Sequence, residues 1–131
     1  MSKPFLIFIT SLLLFSSCQE SFDKRLLRET KEFTKSQCPM QVEEGCILDS
    51  LSYNTNQRVY TWWYQLSDVG VATFIENRHL LHKILVDRLS NDVELKSLKD
   101  NKVTFQYIYR SSSSGKTIYQ TTITQAEYLQ H

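Results

Sequence analysis

Along SFDKRLLRETKEFTKSQ, apolar side chains fall at Phe22, Leu26 and Phe33 with Thr30 between them, a repeat of fours and threes that predicts an amphipathic helix. Its charged flank, including Asp23, Lys24, Arg25, Arg28 and Lys31, is expected to face water, and Pro39 to mark its end. Farther on the period shortens to two. ILDSLSY and RVYTWWYQL read as strands joined by the polar turn NTNQ, a first hairpin. Helical spacing returns in VATFIENRHLLHKILVDRLS, where Val71, Ile75, Arg78, Leu81, Leu85 and Leu89 repeat and Phe74, Leu80 and Ile84 widen the stripe. VELKSLKDN fits either a short helix or an extended crossover, with Leu95 and Leu98 touching the core. KVTFQYIYR and KTIYQTTIT flank SSSSG as a second hairpin, and Thr124 with Glu127 forms a capping box before AEYLQ.

The predicted order is αββαββ. Its economical packing is an α+β two-layer sandwich, a four-stranded antiparallel sheet with two helices on one face. Alternation then sends Tyr60, Trp62, Tyr64 and Leu66 inward, matched on the second hairpin by Val103, Phe105, Tyr107, Tyr109, Tyr119 and Ile123. Trp63, Ile108 and Ile118 are left outward among Thr104, Gln106, Arg110, Gln120 and Thr122. An apolar centre within a polar field is the composition of a partner-binding interface, so these three residues are the candidate partner-binding set. Singly exposed apolar residues are also ordinary, and the tail or VELKSLKDN would serve equally to cover them.

The N-terminus adds an address. Phe5 to Phe15 is too short for a spanning helix, which needs ~20 apolar residues, and Lys3 before it with Ser16 and Ser17 after it have the layout of a secretory signal peptide. Cys18 follows at once. FSSC resembles the lipobox of bacterial lipoproteins, with Phe15 standing where leucine is usual. The resemblance implies residues 1–17 as the leader, lipidation at Cys18, and a single α+β domain over residues 18–131. The alternative is a cleaved soluble signal beside an incidental cysteine. The expected location is the bacterial cell envelope, lipid-anchored to a membrane, the outer ahead of the inner.

Charge narrows the partners. The chain carries 15 Lys and Arg against 14 Asp and Glu, and loss of the leader removes Lys3, so the remaining formal charge is zero. No strong field draws nucleic acid. In an oxidising compartment Cys38 and Cys46 can pair only with each other once Cys18 carries lipid, and a disulfide closing that short loop is worth ~2.5 kcal/mol. Two inert thiols are the other reading. A reactive Cys38 is disfavoured, because the C-terminal end of a helix opposes a thiolate.

Chemical motifs are sparse. GKT at Gly115 to Thr117 lacks the upstream glycine of a phosphate loop, Arg110 standing there, and strands flank it on both sides. His79 and His82, three apart with Glu76 nearby, fall short of the ligands a metal site needs and are expected to face solvent. Ser111 to Ser114 have no paired base. No cofactor, metal or catalytic residue is expected. The helix ending in CP, the LDSLSY strand, the tyrosine-rich second strand, the central helix and FQYIYRSSSSGKTIYQTTIT together resemble a group of small bacterial exported lipoproteins with a helix-hairpin-helix-hairpin pattern. That resemblance implies a fold and no chemistry. The expectation is therefore a non-catalytic envelope lipoprotein that binds another protein, as accessory subunit or as inhibitor or immunity-type factor. The alternative is a small-ligand binder or small hydrolase with a pocket between helix and sheet.

Overall fold

The computed structural model describes residues 20–129, so Cys18 and the leader lie outside the described residues. Helix α1 (Phe22–Gln37) opens on Ser21, whose hydroxyl accepts the Lys24 amide at 3.3 Å. Leu26 and Thr30 are its buried positions, with Phe22 and Phe33 half-buried beside them. The basic flank faces water as the pattern requires. Two polar ties fix the helix to the sheet. The Thr34 hydroxyl accepts the Leu51 amide at 2.9 Å and donates to the Leu51 carbonyl at 3.1 Å. Asp23 accepts the Tyr53 hydroxyl at 2.6 Å and Arg58 Nε at 3.2 Å.

The sheet holds β1 (Met40–Glu43), β2 (Cys46–Asn54), β3 (Val59–Leu66), β4 (Thr104–Ser111) and β5 (Thr117–Ile123), in that spatial order. It therefore has five strands and mixed direction, correcting the four antiparallel strands read from the sequence. One reason is local. The segment read as a cysteine loop turns at Glu44 and Gly45, Gly45 holding φ +76°, and its polar first arm pairs with β2. The other is topological. Helix α2 (Asp68–Asn91), a 3-10 turn (Val93–Leu95) and α3 (Lys96–Asp100) carry the chain back along the sheet, so β4 runs parallel to β3 from Val59↔Thr104 to Leu66↔Ser111. VELKSLKDN is thus helical. The chain ends in α4 (Gln125–Tyr128), whose capping box of Thr124 and Glu127 is formed.

Both long helices lie on the face built by Tyr53, Tyr60, Phe105, Tyr107, Tyr109 and Ile123, and the α+β two-layer sandwich holds. Phe105, Leu89, Ile123 and Val103 are its most enclosed side chains. Helix α2 meets the core along Val71, Phe74, Leu81, Leu85 and Leu89. That line is narrower than the predicted stripe, and Ile75, Leu80 and Ile84 stay exposed. At the start of α2, Gly70 is pressed against Gly45. A Cβ built on Gly70 would stand 2.2 Å from the Gly45 carbonyl oxygen, which also accepts the Ser67 amide at 3.0 Å. The β1–β2 turn is thereby latched to the helix.

Candidate functional site

The parallel pairing of β3 and β4 sets aromatic rings side by side on the covered face. Trp62 stacks on Tyr107 with centroids 4.5 Å apart and planes 11° from parallel, and Tyr64 on Tyr109 at 4.7 Å and 13°. Rings stacked on each other stand upright on the sheet. Their edges and polar tips therefore point away from it. Above them α1 and α2 do not close together. Between them run two cavities, one of about 500 Å³ on the α1 side and one of about 280 Å³ on the α2 side. They share Val42, Trp62, Tyr64 and Leu95, and so form one trough. Leu26 and Phe33 wall it on one side, Leu85 and Leu89 on the other.

The floor is polar in an unusual sense. Among the described residues no hydrogen bond reaches the hydroxyls of Tyr60, Tyr64, Tyr107 or Tyr109, or the Trp62 indole N–H. Yet none of these is fully enclosed and unpartnered. They open toward the trough, where water can answer them. Burial pushes all four phenols up, Tyr60 to about 12, so they stay neutral donors across the physiological range. The rim is acidic. Glu29 and Glu94 line the larger cavity, Glu43 and Asp92 the smaller, against the single cation Arg88. Glu43, Glu94 and Arg88 make no ion pair among the described residues, while Asp92 caps the Glu94 amide at 2.9 Å and Arg25 lies 3.8 Å from Glu29.

The expected disulfide is not formed: Cys38 and Cys46 are both free. With Met40 opposite Leu48, Cys38 comes level with Ser50, four residues along β2 from Cys46. That separation is roughly 13 Å at 3.3 Å per residue, well beyond disulfide reach. Burial, helped by Glu43, pushes the Cys46 thiol up to about 11, and burial with Asp49 raises Cys38. Neither is poised as a nucleophile.

The candidate partner-binding residues share the open face but not one environment. Trp63 is half-buried, its indole N–H donating to Ser52 Oγ at 2.8 Å and its ring lying 4.6 Å beneath the Arg110 guanidinium. Ile108, expected at the surface, is buried at 5 % exposure. It sits between Trp63 and Gln120 in register, and long neighbours on both sides cover it. Ile118 is half-buried beside the β4–β5 irregularity at Tyr109 and Arg110. Thr61 donates to Gln106 at 3.1 Å, so polar groups here answer one another.

Of the two helix histidines, His79 is exposed while His82, contrary to expectation, is engaged. Its Nδ1 lies 2.5 Å from Thr121 Oγ1 and its Nε2 2.5 Å from Glu127 Oε2, joining α2 to β5 and α4. A hydroxyl, imidazole and carboxylate in line are the elements of a nucleophile relay. These three lie outside the trough, and the contacts they make are those of a staple. No group of three or more His, Cys, Asp or Glu among the described residues is arranged to hold a metal. No helix there is long and apolar enough to cross a membrane.

The class these features define is a one-sided α+β sandwich with a trough between its helices. Residues 21–119 match a domain of unknown function, DUF8479, and the chain belongs to that family. No curated protein matches it. Among solved structures, a protein of Pseudomonas aeruginosa described as secreted aligns with a TM-score of 0.68 at 11 % identity, covering 84 % of this chain and 99 % of that one. The pilotin EpsS of the Vibrio vulnificus type 2 secretion system aligns with a TM-score of 0.63 at 14 % identity, covering 81 % and 90 %. At such identities the likeness is one of fold.

Proposed function

We propose that the protein is a lipid-anchored, non-catalytic module of the bacterial envelope that binds another protein as an accessory subunit. The observation that carries this reading is the trough, a preformed concavity with aromatic and aliphatic walls and no convergent nucleophile, acid and base. The Cys18 sequence context supplies the anchor, and α1 starts within four residues of it, so the domain is held close to the bilayer. The shared fold with a secretion-system pilotin supports an accessory role, and the outer membrane is the proposed location.

Affinity purification of the full chain from detergent-solubilised envelope tests the binding role. Recovery of one stoichiometric partner is expected; recovery of none overturns it. Fractionation of Cys18→Ala tests the anchor. Release from membranes or an uncleaved leader is expected, and behaviour like wild type excludes lipidation.

A further inference from the structure

The trough says what kind of segment it takes. We infer that it holds an extended, apolar stretch of the partner protein that carries lysine or arginine at its flanks, an inference that rests on the protein-binding reading above. Three observations converge on this occupant.

First, the unpartnered floor must be answered. Tyr60, Tyr107 and Tyr109 are each more than nine-tenths buried, and their hydroxyls keep only the trough as a source of hydrogen bonds. An occupant that expels the trough water without replacing its bonds leaves those groups stranded. A regular helix spends its own main-chain groups internally and offers the floor only side chains. An extended segment brings carbonyls and amides at every residue, the complement of four hydroxyls and an indole N–H.

Second, the rings are turned the wrong way for a sugar platform. Trp62 and Tyr107 cover each other's faces, as do Tyr64 and Tyr109, so the floor presents ring edges where a glycan needs open faces. Between the edges lie Leu26, Val42, Leu85, Leu89 and Leu95, which suit aliphatic side chains of a peptide.

Third, the rim has a sign. Glu29, Glu43, Asp92 and Glu94 outnumber Arg88, which places a negative potential around an apolar slot. A basic flank is drawn in and an acidic one turned away. The same rim disfavours a fatty acyl chain bearing a phosphate or carboxylate head.

Site-specific photocrosslinking in cells making the full chain tests the inference. Benzoylphenylalanine is placed in the trough at Val42 or Phe33, and on the open sheet face at Trp63 or Gln120, each variant first shown to unfold at the wild-type temperature. Adducts from Val42 and Phe33, mapped by mass spectrometry to an apolar stretch with surplus Lys and Arg, are the expected result. Glu43→Gln with Glu94→Gln is expected to lower adduct yield roughly fivefold, and Tyr64→Phe with Tyr107→Phe by a similar factor. Tyrosine variants without effect overturn the extended, hydrogen-bonded mode. Adducts to an acidic stretch, a lipid or a glycan overturn the occupant. Adducts from Trp63 and Gln120 alone move the partner to the open face, leaving the protein-binding role intact and the trough inference wrong. Adducts from neither set defeat the protein-binding role itself.

Discussion

Trp62 and Trp63 are neighbours in sequence and occupy opposite sides of one sheet. Trp62 stands in the covered layer, stacked between Tyr107 and Phe105, with an indole N–H that finds no protein partner. Trp63 lies on the open face, where Ser52 accepts its N–H and Arg110 covers its ring. The buried side is thus the one with unanswered polar groups, and the open side is the one already satisfied. A surface whose groups answer one another has little to gain from a partner. The covered side, opened by the separation of its helices, has bonds still to make.

The largest expected effect probes the covered side. Phe105→Ala removes a fully enclosed ring that touches Tyr60, Trp62 and Tyr128, and urea denaturation should show a loss of about 3 to 5 kcal/mol. A loss below ~1 kcal/mol would mean that the trough, and not a packed core, occupies the centre of the layer. Ile108→Ala comes next. As the buried member of the open face, it should cost about 2 kcal/mol by the same measurement, and a neutral result would show that Trp63 and Arg110 do not cover it. Trp63→Ala should cost about 1 kcal/mol, from one hydrogen bond and one cation–π contact. A loss like that of Phe105→Ala would instead mean that the open face is packed.

The smallest effect concerns pH. The Tyr53 hydroxyl first, then the Arg58 guanidinium, hold the Asp23 carboxyl below its usual range. Because the folded value is the lower one, this contribution is present above the unfolded value near ~3.9 and fades as pH falls through the folded one. Thermal melts between pH 5 and pH 2 should therefore show a steeper decline for wild type than for Asp23→Asn. Parallel curves would remove Asp23 from the account.

What could be read from the sequence follows the range of the interactions. Strand β3 was legible because pleating is local. Its alternation assigns Tyr60, Trp62 and Tyr64 to one side without knowledge of any neighbour, and the matching set on β4 and β5 falls where expected. Strand β1 was not legible: Met40–Glu43 is four residues long and mostly exposed, so no apolar period marks it. The parallel pairing of β3 with β4 was hidden for a different reason. Both hairpins predict their own antiparallel partners, but the direction of their junction depends on where α2 sets the chain down. The burial of Ile108 depends on the lengths of Trp63 and Arg110, which no periodicity reports. The trough draws on α1, β1, α2, the 3-10 turn and the sheet at once. One signal for it was present, since four tyrosines on an inward face carry four hydroxyls that a dry core cannot satisfy.

Helix α1 has a consequence for how the molecule opens. It is both the element nearest the proposed anchor and one wall of the trough, yet only Leu26 and Thr30 of its sixteen residues are fully buried. Strand β4, by contrast, buries five of eight. Local opening free energies follow such differences. The amides of α1 should therefore exchange with deuterated solvent through a separate, cheaper fluctuation than those of β4, so that the wall beside the membrane breathes while the sheet stays closed.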